Sequence, residues 1–409
     1  MEPLHSSEFP AARVSVALGD FERWLDRYGE DSWDHQSFFA GPLGARAKQL
    51  YYRQPRAGLL AVAPMVFCEA FMPSARQLFH RRIRFPIADA HYAMGFAFLS
   101  QETKSALHLE KAIHFLNELR RSRCGGFKEY CWGYPFDWVT RNGVIPAQTP
   151  LITSTPYAYE AFLHVHQIDP RTEWRDVLAS IARHAATDIK DFPTSETASS
   201  CSYTPFDRGG VINAAAYRAF LLTSASQVLG DETYRRTATR NLHFVLQSQN
   251  PDGSWPYAVD GVRDFVDHFH TCFVMKALAK IHSLTGHQAT LEALERGVKY
   301  YLEHLFAEDG LPRPFAVAPR LTVYKRELYD CAECINLCLL LRDRIPELNE
   351  KLEAVVSGVL RDWVKSDGSF RSRQLILGWD NVPMHRWAQS QMFRALAFYH
   401  YETSGMGAK

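Results

Sequence analysis

Apolar residues recur along most of this chain at helical spacing. Leu291, Leu294, Val298, Tyr301, Leu302 and Leu305 fall on one face at a period of 3.6, and so do Leu348, Leu352, Val355, Val359 and Trp363. Each such helix runs into a glycine-containing turn, an aromatic-rich stretch and then another helix. Four segments show the plan: LEKAIHFLNELRRSRCGGFKEYCWGYPFDW, ATRNLHFVLQSQNPDGSWPYAVDG, LERGVKYYLEHLFAEDGLPRPF and LEAVVSGVLRDWVKSDGSFRSR. Their turn glycines, Gly126, Gly253, Gly310 and Gly368, are about 127, 57 and 58 residues apart. The doubled first gap predicts a degenerate copy near 185–195, where WRDVLASIARHAATDIKDF meets PTSETASSCSYTPFDRGG. The stretch 42–80 can supply a sixth hairpin.

Helical pairs repeated at this period cannot bury their faces alone and must stack on neighbours. Six pairs can close into a ring. The fold expected is therefore all-α, an (α/α)6 toroid over 41–409, with residues 1–40 packing on it as an N-terminal segment; an open helical solenoid is the alternative.

The same repeat collects chemistry. If every turn follows the same helix of its pair, all turns lie on one rim. The first brings Tyr134, Asp137, Trp138 and Arg141; the second Tyr203, Asp207 and Arg208; the third Trp255, Tyr257, Asp267, His268 and His270. The fourth brings Tyr324, Tyr329 and Asp330, and the fifth Trp379, Asp380, His385, Arg386 and Trp387. Turns need turn formers, not Trp, Asp, Arg and His at every return. Flat aromatic faces with carboxylates, imidazoles and guanidiniums suit a carbohydrate, whose C–H faces stack and whose hydroxyls or carboxylates hydrogen-bond. Each residue also has a plainer reading: Trp255 as a plug for its own loop, Asp207–Arg208 as a local ion pair.

In DFVDHFHTCF, Asp267 and His270 stand three apart at a helix start, where a carboxylate can orient an imidazole for general acid–base work. In WGYPFDW, Asp137 has apolar neighbours that would raise its pKa and make it a proton donor. Paired with Asp207 or Asp267 it could serve an inverting hydrolase. Tyr203 and Tyr329 are candidate acids, and Arg141, Arg208 and Arg386 candidate clamps for a uronate carboxylate. Cys331 and Cys334 form a lone CxxC, with His268, His270 and Cys272 in a related loop; its continuation to Cys338 reads as a buried helix, so neither metal nor cofactor is expected. Gln249–Trp255 matches the Q-x-x-x-G-x-W repeat of triterpene cyclases, but once only and without an acidic D-x-D-D cluster.

Composition narrows the classes. Hydrophobic residues make up 46% and charged residues 22%, with 26 Phe, 18 Tyr and 9 Trp. A net charge of +1 gives no reason to expect nucleic acid. No segment reaches the ~18 to 20 apolar residues of a membrane span. The start lacks the basic and apolar regions of an export signal, and the eight cysteines are scattered, so a cytoplasmic location is expected.

Taken together, WGYPFDW with TPLITSTPYAYEAFL, SYTPFDRGGVINAAA, QNPDGSWPY, FVDHFHTCFVMKALA and CAECINL resembles the VpsJ-like exopolysaccharide biosynthesis family over about 85–400. The resemblance implies an α/α toroid engaged in making surface polysaccharide, in association with an assembly complex. His268 stands where that family has Asn, and Tyr329–Glu333 where it has His-Ser-Cys-Ala-Gln. In architecture the chain is also similar to the catalytic domain of glucuronyl C5-epimerases. The expected function is general acid–base chemistry on an oligo- or polysaccharide, with C5 of a uronic acid unit as one target. Inverting hydrolysis and noncatalytic glycan binding or scaffolding are the alternatives.

Overall fold

The computed structural model describes residues 8–319 and 322–404. Helix α1 (Glu8–Tyr28) comes first, followed by the short α2 (Ser37–Ala40), a hairpin of α3 (Pro42–Arg53) and α4 (Pro55–Phe71), and the short α5 (Arg76–Phe79). Five hairpins follow: α6 (Pro86–Thr103) with α7 (Ala106–Arg121), α8 (Thr155–Ile168) with α9 (Thr172–Thr187), and α10 (Ile212–Leu229) with α11 (Thr233–Gln247). The last two pair α12 (His268–Thr285) with α13 (Gln288–His304), and α14 (Leu328–Leu341) with α15 (Glu347–Asp362); α16 (Ser390–Thr403) ends the order.

Helices α6, α8, α10, α12, α14 and α16 each pack on the next, and α16 returns to α6, so the inner ring is closed and the solenoid alternative falls. Burial explains the division of labour. The inner helices are apolar on nearly every side because they face both the axis and the outer layer. The outer helices carry one apolar stripe: Leu294, Val298 and Tyr301 are buried while Glu292 and Glu295 are exposed. Gly230 and Gly286 end α10 and α12 in the left-handed conformation, as helix C-termini prefer.

The sixth pair differs from the expectation. Helix α1 packs on α15 and α16, so the first helix of the chain completes the outer ring beside the last. Phe21 seals that joint, stacked at 5.1 Å on Phe370 and 5.2 Å on Phe393. The stretch 42–80 instead forms a satellite cluster around Phe38, Val62 and Met65, inserted in the connection from α1 to α6.

Six connections therefore run from an outer to an inner helix, and all six lie at the N-terminal ends of the inner helices. They hold the short strands: β1 (Trp138–Thr140) with β2 (Gly143–Ile145), β3 (Asp191–Pro193) with β4 (Ser199–Cys201), and β5 (Val266–Asp267) with β6 (Phe315–Val317). A three-stranded sheet of β7 (Tyr324–Glu327), β8 (Arg373–Leu375) and β9 (Trp379–Asp380) completes the rim.

The axis is plugged. Lys280 of α12 pairs with Glu160 of α8, and Lys276 of α12 pairs with Glu333 and reaches the Tyr157 hydroxyl of α8 at 3.5 Å. Helices α8 and α12 are not ring neighbours, so these contacts cross the interior and give the rim a floor.

Candidate functional site

Asp267 caps α12. Its Oδ1 accepts the His270 backbone N–H at 3.0 Å, the bond that starts the helix, and its Oδ2 lies 2.6 Å from His270 Nδ1. One carboxylate thus fixes both the helix start and the imidazole. Asp267 is buried and His270 half-buried, so Nδ1 faces protein while the ring's other edge faces the rim. An Nδ1–H donated to the carboxylate leaves Nε2 as the acceptor, the tautomer a general base needs.

Aromatic rings surround this pair. Tyr257 meets His270 edge-on at 4.7 Å, and Phe269 lies 5.4 Å from Trp387, which stacks on Tyr329 at 4.4 Å. On the other side Tyr134 meets Trp138 edge-on at 5.4 Å, and Trp138 reaches Tyr203 at 6.2 Å. Arg386 sits between the two groups, 4.6 Å over Tyr134 and 5.2 Å from Trp387. Burial raises the pKa of Tyr134, Tyr203, Tyr257 and Tyr329, so all four remain protonated hydrogen-bonding groups. The Tyr203 hydroxyl accepts from Thr153 at 2.9 Å. Six parallel inner helices also point their N-termini at this mouth, a partial positive charge that favours oxygen-rich ligands.

The sixth connection contributes residues absent from the expected set. Asp34 grips Arg386 through both carboxylate oxygens, at 2.9 and 2.7 Å. Burial alone would raise the Asp34 pKa, but the Arg386 guanidinium outweighs it and holds it well below the carboxylate range. His35 packs 4.2 Å from Trp387. Burial first, with Arg386 and Arg373 adding to it, lowers its pKa well below 6.5 despite Asp34, so this second imidazole is neutral. Glu327 accepts from Trp387 Nε1 at 3.1 Å and pairs with Arg373, which bonds Glu69 of α4 at 2.7 Å.

Several expected ligand contacts lie elsewhere. Trp255 is buried, donates to the Val245 carbonyl at 3.0 Å and packs on Gly297: it plugs its own loop. His268 points between the helix layers to Tyr301 at 2.9 Å and the Leu305 carbonyl at 3.2 Å. His385 is buried between the Tyr92 hydroxyl and the Gly29 carbonyl, and Asp380 between Arg76 and the Val382 N–H. Asp330 is buried with neither oxygen hydrogen-bonded among the described residues, and burial first, then Glu327 and Asp267, push its pKa well above the usual carboxylate range. Turn geometry and burial claim each of these five before a ligand can.

The remaining carboxylates are committed too. Asp207 accepts the N–H groups of Tyr203, Thr204 and Gly209 and so shapes its turn. Asp137 is exposed on the β1–β2 hairpin, bonded to the Ala147 N–H at 2.8 Å, and lacks the apolar surroundings expected of it. Arg141 and Arg208 are exposed at the edge. The thiol and imidazole groups of the CxxC region are divided: Cys272 and Tyr301 are buried with His268, whereas His270 faces the mouth.

No protein-family model matches the chain, and no curated protein matches it by sequence. Solved structures do share its fold. A possible GH105 family member from Salmonella enterica superposes with a TM-score of 0.63 at 10% identity, covering 98% of this chain and 96% of that one. Cellobiose 2-epimerase from Bacillus thermoamylovorans gives 0.62 at 11% identity over 78% and 88%. Unsaturated glucuronyl hydrolase from a Bacillus species gives 0.59 at 13% identity over 94% and 95%. The chain is an (α/α)6 toroid with the architecture of these three proteins.

Proposed function

We propose that this protein is a carbohydrate-processing enzyme that moves a proton by general acid–base catalysis, with His270 as the acid–base group and Asp267 as its positioning partner. The observation that carries the reading is the 2.6 Å Asp267–His270 contact, with His270 half-buried among the aromatic rings of the rim. Tyr134, Trp138, Tyr203, Tyr257 and Trp387 offer faces and hydroxyls to sugar rings.

An epimerase or lyase acting beside a carbonyl or carboxylate carbon, C5 of a uronic acid included, fits this set better than an inverting hydrolase. A hydrolase needs two available carboxylates, and Asp137, Asp207 and Asp380 are each engaged in holding a turn or an arginine. Architectural neighbours that carry epimerase and glucuronyl hydrolase names are consistent with either chemistry. The VpsJ-like resemblance supports a place in making surface polysaccharide, with an assembly complex as the partner proposed, and the scattered cysteines favour the cytoplasm as the compartment.

The test is a panel of reducing disaccharides and uronate oligosaccharides incubated in deuterium oxide, read by proton NMR and by absorbance near 235 nm. Loss of a ring C–H signal without absorbance means epimerisation; rising absorbance means β-elimination. Reducing ends released with neither signal would overturn the proton-transfer reading for hydrolysis, and tight binding with no turnover would leave a glycan-binding protein.

A further inference from the structure

Helix α4 reads as a core helix, PRAGLLAVAPMVFCEAF, yet only Gly58, Val62 and Met65 of it are buried. Leu59, Leu60, Phe67, Phe71 and Met72 stand exposed along it or at its end, and so does Leu78 of α5. Leu60 and Leu78 are 77% and 87% exposed, more than the other large apolar side chains of the described residues. An apolar surface of this kind on an otherwise well-buried protein marks something that covers it.

Charge identifies the cover. Residues 41–84 hold eight Lys and Arg against one acid, Glu69, a local net charge of +7 in a chain whose total is +1. Arg76, Arg82 and Arg84 are engaged within the fold. Arg46, Arg53, Arg56 and Arg81 are exposed and form no ion pair among the described residues. They bracket the apolar patch, with Arg53 and Arg56 at the α3–α4 turn and Arg81 just beyond Leu78. A second copy docked on the same face would set these positive surfaces against each other. Apolar side chains framed by unpaired arginines match the boundary between anionic headgroups and acyl chains. No helix of the described residues is long and apolar enough to cross a membrane, so the contact is peripheral.

We infer that the α3–α4 hairpin docks this protein on an anionic lipid bilayer. The hairpin is an insertion in one of the six rim connections, and Glu69 of α4 holds Arg373, which holds Glu327 under Trp387. Docking would therefore set the mouth beside the lipid surface. Resting on the glycan reading, the substrate class that follows is a saccharide still attached to a lipid carrier.

The test is sedimentation of the full chain with vesicles of phosphatidylcholine alone, or with phosphatidylglycerol added at roughly one part in three to mimic an anionic leaflet. The protein is expected to sediment with the anionic vesicles and less so as salt rises. Arg53→Glu/Arg56→Glu and Leu59→Ser/Leu60→Ser should each lower its partition about tenfold or more. Both pairs are exposed, and circular dichroism melts should match wild type. Wild-type protein left in the supernatant overturns the inference. So does a dimer in light scattering that Leu59→Ser/Leu60→Ser dissociates, since the cover is then a second copy. No saccharide enters this assay, so its failure leaves the glycan reading intact, and a flat saccharide panel leaves vesicle binding intact.

Discussion

At the scale of single residues, the site is a set of buried charges arranged so that one imidazole remains available. Arg386 illustrates the cost of disturbing it. Its side chain is 5% exposed and paired with Asp34, so Arg386→Ala strands a buried carboxylate and should cost about 3–5 kcal/mol, measured by denaturant unfolding. His385 makes stability depend on pH. Burial, helped by Arg82 and Arg84, lowers its pKa to about 3 against the Gly29 carbonyl. The unfolded chain gains a proton below pH 6.5 that the folded chain refuses until about pH 3, so acidification favours unfolding through that window. Between pH 7 and 5 the loss from this group is about 2 kcal/mol, and His385→Gln should flatten the fall in melting temperature. His35 and His91, also lowered by burial, add to the same slope. Asp267 and His270 were legible in the sequence because their spacing in DFVDHFH is local chemistry. Asp34 and His35 were not: their role depends on a contact with Arg386, 352 residues away for Asp34.

At the scale of elements, the glycine turns decide how each outer helix hands over to the next inner one. Gly253 has φ +93°, and a Cβ there would lie 2.3 Å from the Arg296 carbonyl oxygen. Gly253→Ala should therefore destabilise by about 2 kcal/mol or more, with hydrogen exchange rising first around Trp255. The same glycines carried the repeat through the sequence, which is why five hairpins and their common rim could be read from Gly126, Gly253, Gly310 and Gly368. Side-chain direction could not. His268 and His270 are two apart on α12, and one faces Tyr301 behind the helix while the other faces the mouth. The turn-forming role of Asp207 is not legible because an Asx-type bond, here to the Gly209 N–H, is identified by its geometry rather than by its residue type, and Asp137 reaches the Ala147 N–H ten residues on, beyond any local pattern.

For the whole molecule, ring closure joins α1 to α15 and α16, a contact that no local pattern encodes. The amphipathic α1 could have packed anywhere; it closes the ring because α15 and α16 otherwise lack an outer neighbour. Phe21, fully buried in that joint, should cost about 3–5 kcal/mol when cut to Ala, and the loss should appear in α16 as well as α1 by hydrogen exchange. Lys276, Lys280 and their carboxylates fill the interior of the ring, so a ligand bound at His270 would have to approach from the rim side.

That imidazole is the point at which the account stands or fails. The most direct measurement compares wild type with His270→Asn on the saccharide that the deuterium panel identifies, following binding and C–H exchange separately. Near-unchanged affinity with exchange slowed about a hundredfold or more is the result expected of an acid–base group. A variant that exchanges as fast as wild type would contradict it, and would move the chemistry away from the Asp267–His270 pair.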